Sequence, residues 1–202
     1  MPRDRHRAAR RRPAGARARQ AAGRASTLRA RRRSLARNGR GPFGALRSGV
    51  RRGACIRVQS MFVLVVGAGR VGSAVAKRAL AEGHEVSVLD EDPLSHERLD
   101  AGQPRSWEDA GGQFTVGTAL EIEALTAAGI DGADVFIAST DGDNTNLIIA
   151  QIAQRQFQVP KVLARVMDPA RAAWYGEQGL QTISPTQHAI EMFELALYGT
   201  AA

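Results

Sequence analysis

The chain has 202 residues, of which 44% are hydrophobic and 24% are charged, and its formal net charge is +8. Residues 1–60 hold 19 Arg, no Lys and one acid, a net of +18, whereas residues 61–202 hold 9 Lys and Arg against 19 Asp and Glu, a net of −10. The only cysteine, Cys55, lies in the basic part, which excludes a disulfide framework or a thiolate metal site in the remainder. No apolar run approaches the ~20 residues that span a bilayer, so the sequence predicts a soluble protein of the reducing cytoplasm.

The basic segment 1–60 is predicted to be disordered, because Arg, Ala, Gly and Pro fill 41 of its 60 positions. Three interpretations stay open for it: a tail that binds nucleic acid or an anionic membrane, a targeting peptide, or an extension upstream of a translation start near Met61. The absence of Lys and the G/C-rich codons of these residue types favour the third. We therefore take 61–202 as the folded domain, and we expect no nucleic-acid binding by it.

Strands and helices alternate along 61–202. Near-continuous apolar strands between helices imply a parallel sheet that is covered on both faces. Right-handed crossovers then predict a single Rossmann-like, doubly wound α/β domain with six strands in the order 3-2-1-4-5-6. The predicted elements are a strand over 62–66, a helix over 70–81 with Val71, Val75 and Ala79 on one face, a strand over 86–89, a polar loop over 95–112, a strand over 114–116, a helix over 120–128, a strand over 134–138, a helix over 144–157, a strand over 161–166, a helix over 169–174, a strand over 181–183 and a helix from 185.

A glycine motif, Gly67-Ala68-Gly69-Arg70-Val71-Gly72, follows the first strand directly. This order of buried strand, tight turn and helix start is the one that a nucleotide pyrophosphate requires. Gly67 allows the sharp turn, Gly69 lets the backbone approach a phosphate, and Gly72 lets the helix lie close to the strand. Asp90 closes the second strand 23 residues after Gly67, near the spacing at which a carboxylate reaches ribose hydroxyls.

Polar residues also follow the third and fourth strands, and ligands of such sheets bind at this carboxyl edge. Gly117 and Thr118 follow the third strand; Thr118 is predicted beside the adenine, and a helix cap is its alternative role, the two being compatible. The segment 140–146 combines hydroxyl, carboxylate and amide groups, and the alternative is that Asp143 or Asn144 only caps the next helix. Its paired acids do not define a metal site, and no metal is predicted.

Two arginines at the same edge are candidates for phosphate contacts. Arg70 lies in the glycine turn, where a guanidinium makes charge-assisted hydrogen bonds to a phosphate. Arg165 ends the fifth strand, where it either meets a nucleotide phosphate or pairs with Asp168 or Asp141. For Arg70 the alternative is an exposed arginine at the helix start.

No catalytic residue is predicted. Tyr175 and Tyr198 lack the lysine four residues later that lowers the pKa of a catalytic tyrosine in short-chain dehydrogenases. None of His84, His96 and His188 follows a strand at the ligand edge. The pattern favours binding without turnover. A small NAD-dependent oxidoreductase remains the alternative, and a methyltransferase is a weaker one.

The motifs taken together resemble the Trk-system potassium-uptake regulators, which carry the TrkA-type RCK (regulator of potassium conductance) N-terminal nucleotide-binding domain. The resemblance covers about 62–197. The segments that carry it are Val66-Gly67-Ala68-Gly69-Arg70-Val71-Gly72, Val88-Leu89-Asp90-Glu91-Asp92-Pro93, Ala128-Gly129-Ile130, Ala133-Asp134-Val135, Thr140-Asp141-Gly142-Asp143-Asn144-Thr145-Asn146, Ala164-Arg165-Val166 and Gly179-Leu180-Gln181-Thr182-Ile183-Ser184-Pro185.

The resemblance implies a domain that binds NAD(H) or ATP/ADP and gates a membrane potassium channel or transporter from the cytoplasmic face. It also implies a dimer or a higher ring, with a second RCK regulator as a further partner. Carried over to this sequence, Gly67 to Val71 hold the pyrophosphate, Asp90 the ribose and Gly117-Thr118 the adenine side. Thr140 and Arg165 lie near the distal phosphates.

The sequence departs from the family pattern in three ways. Thr118 stands where the family often has Asp, the 95–112 loop is longer than expected, and the C-terminal RCK lobe is expected to be absent from 61–202. The last predicted helix is apolar over far more than the ~100° stripe that one packed face needs. We expect a partner to cover part of it, although burial wholly inside the domain is the alternative.

Overall fold

The computed structural model describes residues 60–199, so the prediction for the basic segment falls almost wholly outside the described residues. The strands are β1 Phe62–Val66, β2 Glu85–Asp90, β3 Gln113–Val116, β4 Val135–Ala138, β5 Lys161–Arg165 and β6 Gln181–Ile183. The helices are α1 Arg70–Ala81, α2 Glu97–Asp100, α3 Ile122–Ala127, α4 Asp143–Arg155, α5 Pro169–Glu177 and α6 Pro185–Tyr198, with 3₁₀ turns at Pro93–His96 and Ile130–Gly132.

The six strands form one sheet in the order β3-β2-β1-β4-β5-β6, and every pair is parallel. The predicted fold class and strand order are therefore confirmed. The order reverses at β1, whose last residue, Val66, is level with Leu89 of β2 and Ala138 of β4. In sheets of this kind, the crevice beyond the reversal point receives the ligand.

The sheet is buried on both faces, as the apolar strands predict. Alternate residues of β1 point to opposite sides. Leu64 and Val66 join a core with α3, α4 and α5, whereas Val63 and Val65 join a smaller core with α1 and the segment after β2.

The prediction of a polar loop over 95–112 is wrong in part. This segment begins in helical turns and buries the side chains of Leu99 and Trp107 in the smaller core. Asp100 holds the fold of the segment, because its Oδ1 accepts a hydrogen bond of 2.7 Å from the backbone N–H of Trp107. Gly112 packs on the indole so closely that an added Cβ would lie 2.2 Å from a ring carbon.

The apolar face predicted for α1 is only partly correct, because Ala79 alone of its three residues packs against the smaller core. Gly72, Ser73 and Ala76 are the buried residues of this helix, whereas the side chains of Val71 and Val75 are exposed. Small residues face the sheet because the helix starts directly above the glycine turn, where larger side chains would hold the two backbones apart.

Helix α6 presents an apolar surface. Within residues 60–199 it has no buried residue, and Met192, Phe193 and Leu197 are each at least 66% exposed. No helix of the described part combines the length and the apolar composition that crossing a bilayer requires.

We predict that Gly72→Ala strongly destabilises the domain. A Cβ at this position would lie 1.8 Å from the carbonyl oxygen of Gly67, and overpacking against a backbone atom costs about 3 kcal/mol. Thermal unfolding should show a large fall in Tm. Gly69→Ala is the matched control, because among the described residues no atom other than those of Gly69 and its two chain neighbours lies within 4 Å of its Cβ position; an equal loss in both variants would contradict the packing argument.

Candidate functional site

The glycine turn between β1 and α1 is held tightly from two sides. Gly67 has a φ of 95°, and its N–H donates to the carbonyl oxygen of Leu89 at 2.8 Å. A Cβ on Gly67 would lie 2.7 Å from the backbone nitrogen of Thr140, so glycine is required here by both conformation and space. The first amides of α1 have no side-chain cap, which leaves them available to an anion.

Asp90 is tied to this turn. Its Oδ2 accepts a hydrogen bond of 2.6 Å from the N–H of Ala68, and its Oδ1 accepts one of 2.9 Å from the N–H of Asp92. A carboxylate has about four acceptor positions, so both oxygens can still accept hydrogen bonds from ligand hydroxyls. The turn and the second strand therefore present one fixed acceptor group.

A cavity of about 500 Å³ lies at this carboxyl edge of the sheet. Its walls come from the ends of β1 to β4, as the strand order predicts. The predicted site residues that line it are Gly67, Gly69, Arg70, Asp90, Gly117, Thr118 and Thr140. The lining also includes acidic Glu91, Asp92 and Asp141.

Four predicted site residues are not among the lining residues. The N–H of Ala68 serves Asp90, and Gly72 packs against Gly67. Val71 is exposed on α1. Arg165 lies behind the wall, where its Nη2 donates to the carbonyl oxygen of Thr140 at 2.7 Å.

Arg165 also lies near an acid. Its Nη2 is 3.5 Å from Oδ1 of Asp141, which corresponds to one of the two ion pairs considered from sequence. The other, with Asp168, is not formed, because Asp168 caps α5 by accepting from the N–H groups of Ala170 and Arg171. The buried Nε of Arg165 has no hydrogen-bond partner among the described residues.

The capping alternatives are wrong. The N-cap of α4 is Gly142 and that of α3 is Glu121, so neither Asp143, Asn144 nor Thr118 has that role. The carboxylate of Asp143 instead accepts from the N–H groups of Met167 and Asp168, in the segment between β5 and α5, at 2.8 and 3.1 Å. This contact fastens the 140–146 turn to the chain after the next strand.

Asn146 holds the 140–146 turn in place, a role that the sequence interpretation did not assign to it. Its side chain is fully buried and makes hydrogen bonds to Thr140 and Arg165. A signal existed, since Asn146 lies on the helical face of Ala150 and Ala153, which are buried.

Arg98 and Leu120 were missed as well. Both line the cavity, Arg98 from α2 and Leu120 from the segment between β3 and α3. The guanidinium of Arg98 makes no hydrogen bond or ion pair with residues 60–199, so it is available to a ligand. The sequence placed Arg98 in a polar loop and Leu120 in a helix, and neither assignment pointed to the cavity.

A separate cluster joins α2 to the segment that follows it. His96 lies 2.7 Å from the carboxylate of Glu108 through Nε2 and 3.3 Å from that of Asp100 through Nδ1. The imidazole also packs edge-on against the ring of Phe114, with 5.2 Å between centroids. The cluster lies outside the cavity lining and fastens the 95–112 segment to β3.

The parallel sheet, the glycine turn and the anchored acid define a Rossmann-type nucleotide-binding domain. Residues 63–185 match the family described as the TrkA-N domain, and the chain belongs to that family. The family predicted from the motifs is therefore confirmed.

Curated relatives of this chain are named for potassium uptake. The chain is 39% identical over 124 residues to the Trk system potassium uptake protein TrkA of Streptomyces coelicolor, covering 61% of this chain and 52% of the relative. It is 31% identical over 135 residues to the TrkA homolog of Methanothermobacter thermautotrophicus, covering 66% and 59%. The chain thus spans about half the length of the curated relatives it matches.

Solved structures show the same fold. The TrkA-N domain of the Escherichia coli inner membrane protein ybaL matches with a TM-score of 0.57 and 21% identity, over 69% of this chain and 97% of that one. The Shewanella denitrificans Kef CTD in AMP-bound form matches with a TM-score of 0.54 and 24% identity, over 69% and 83%. GsuK bound to ADP matches with a TM-score of 0.55 and 18% identity, over 69% and 34%.

We predict that Asp143→Ala lowers the stability of the domain by about 1–3 kcal/mol, because two backbone N–H groups lose a charged acceptor. Chemical denaturation measures this loss. Asp141→Ala is the matched control in the same turn, since that side chain is fully exposed and its contact with Arg165 is 3.5 Å long; it should stay within about 0.5 kcal/mol of the parent. Equal effects would contradict the role given to Asp143.

Proposed function

We propose that this protein is a nucleotide-binding regulatory subunit of a Trk- or Ktr-type potassium-uptake system. In this proposal it acts at the cytoplasmic face of the membrane and gates a channel or transporter according to bound NAD(H) or ATP/ADP. The observation that carries the proposal is the carboxylate of Asp90, fixed by the glycine turn at the edge of the cavity. The names of the relatives support the system.

The ligand is proposed to lie across the cavity with its pyrophosphate on the glycine turn. The uncapped N–H groups of the first turn of α1, from Arg70 to Gly72, face the phosphates, with Gly69 leaving room for close approach and the Arg70 guanidinium adding positive charge. Asp90 accepts from the hydroxyls of the adenosine ribose.

The adenine side of the cavity is proposed to be formed by Gly117 and Thr118, together with the two residues found only in the structure. Arg98 offers a guanidinium and Leu120 an apolar contact to a flat base. Thr140 lines the cavity after β4, on the other side of β1 from Asp90, and Arg165 donates to its carbonyl oxygen from outside the lining. The part of the ligand beyond the pyrophosphate would extend toward these two residues.

Regulation requires that the ligand bind two states of an assembly with different affinity. We propose that α6 contributes to this assembly by packing on a second copy of the chain, as a dimer or within a ring that includes another RCK regulator. Such packing would remove exposed apolar side chains of α6 from water.

We predict that Asp90→Ala weakens binding of NAD⁺ and ATP by about 10–100-fold, because hydrogen bonds from ribose hydroxyls to a charged acceptor contribute about 1.5–3 kcal/mol. Isothermal titration calorimetry on the purified chain measures the effect, and Glu97→Ala, an exposed acid on α2 outside the lining, is the control. Unchanged affinity in Asp90→Ala would overturn the ribose assignment. Hydride transfer from NADH to a substrate would instead favour the oxidoreductase alternative.

A second prediction concerns assembly. Phe193→Asp places a charge at a side chain that is 72% exposed in the single chain, and burying an unpaired charge in an interface is costly. Analytical ultracentrifugation should show a shift from dimer or ring toward monomer. Thr126→Asp adds the same charge on α3, away from α6, and should leave the sedimentation coefficient unchanged; the idea fails if both variants behave alike.

A further inference from the structure

Three side chains of the types that bind divalent metals converge beside α2. Among residues 60–199, His96, Asp100 and Glu108 are the one set in which a ring nitrogen and an oxygen of each carboxylate all lie within 4.8 Å of one another. The Nε2 atom of His96 is 2.7 Å from Oε1 of Glu108, and its Nδ1 atom is 3.3 Å from Oδ2 of Asp100. None of the three lines the cavity at the carboxyl edge of the sheet.

The backbone that carries these side chains is held in place. His96 ends the 3₁₀ turn that runs into α2, and Asp100 follows it by four residues, so the two side chains lie on one helical face. Glu108 comes from the turns over 106–112, which are closed by backbone hydrogen bonds of 2.9–3.0 Å. The adjacent Trp107 is buried and anchors these turns on the smaller core.

Two of the three side chains are also oriented by contacts that a metal ion would leave intact. Asp100 accepts from the N–H of Trp107 through Oδ1, so its other oxygen, Oδ2, is the one turned to the imidazole. The imidazole of His96 packs edge-on against Phe114. Contacts of this kind orient metal ligands, and their loss typically lowers metal affinity about 10–100-fold.

The spacing of the cluster fits a small ion after a modest movement. Ligand atoms about 2.1 Å from a tetrahedral ion lie about 3.4 Å apart, so the contact between His96 and Glu108 must open and the longest separations must shorten. Glu108 can make this movement, because its side chain is 54% exposed. All three side chains are partly exposed, which leaves the remaining coordination position open to water.

We propose that His96, Asp100 and Glu108 form a binding site for a first-row divalent transition-metal cation such as Zn²⁺. The carboxylates supply negative charge. The imidazole is a ligand that Zn²⁺, Co²⁺ and Ni²⁺ bind well, whereas Ca²⁺ and Mg²⁺ bind oxygen ligands. The ion takes the place of a proton on the ring and ties α2 to the 106–112 turns. The sequence predicted no metal, and this proposal does not depend on the proposed nucleotide function.

The test is a titration of the full chain with Co²⁺, whose visible absorption reports coordination by protein ligands, followed by competition with Zn²⁺. The parent should saturate with a single equivalent of Co²⁺, and Zn²⁺ should displace it. Glu108→Gln removes a charged ligand at constant length and should weaken Zn²⁺ binding about tenfold or more. His96→Gln removes the nitrogen ligand and should weaken it by roughly 100-fold.

Three variants serve as matched controls. Glu97→Gln changes another exposed acid of α2, and His188→Gln removes an imidazole that pairs with Glu191 on α6 at 3.4 Å. Cys55→Ser removes the only thiol of the chain. Each should keep the Zn²⁺ affinity within about twofold of the parent. If His96→Gln does not fold, Glu108→Gln carries the test, because Glu108 is an exposed residue.

Two results would overturn the site. One is the absence of Zn²⁺ and Co²⁺ binding at millimolar metal, and the other is equal Zn²⁺ affinity in the parent and in both ligand variants. The cluster would then be an ion pair that only fastens the 95–112 segment. Tighter binding of Ca²⁺ than of Zn²⁺ would overturn the class of ion. The nucleotide titrations of the proposed function use a different cavity, so they stand or fall separately.

Discussion

The close contact between the start of α1 and the glycine turn is the constraint on which the rest of the structure depends. With no side chain at Gly72, the helix lies directly on the carbonyl group of Gly67. That approach orients the free amides of the helix toward the cavity and places the N–H of Ala68 on the carboxylate of Asp90. The glycine turn and the acid that ends β2 are therefore one rigid unit, and its geometry depends on the absence of a side chain at Gly72.

A second rigid unit faces the first across the reversal point of the sheet. The turn after β4 is fixed by the buried amide of Asn146 and by the carboxylate of Asp143. Every donor and acceptor of the buried Asn146 amide is paired, which favours one geometry because any other arrangement would leave some of these groups unpaired out of water. The cavity thus lies between two turns, each of which is held in place by hydrogen bonds between a side chain and backbone groups.

The sheet order and the glycine turn could be predicted because both depend on local signals, namely apolar runs of strand length and glycines at fixed spacing. The buried face of α1 could not be predicted in this way. Val71 has the apolar character of a core residue, and only the close contact between α1 and the glycine turn shows that small residues face the sheet. Arg98 was missed for a related reason. The burial of Trp107 fixes the fold of the 95–112 segment, and no apolar periodicity in the sequence predicted that burial. Asn146 had a signal, a polar residue on an apolar helical face, whose meaning depended on its partners.

The turn after β4 also bears on how a bound nucleotide would influence an assembly. The N–H of Met167 donates to Asp143, and its carbonyl oxygen accepts from the hydroxyl of Ser184 at 3.4 Å. Ser184 in turn caps α6 through the N–H of Gln187. One hydrogen-bonded unit therefore contacts both the cavity and the base of the exposed helix. In the proposed regulator, a ligand that binds this turn differently in two states of the assembly would bias the position of α6 without any rearrangement of the sheet.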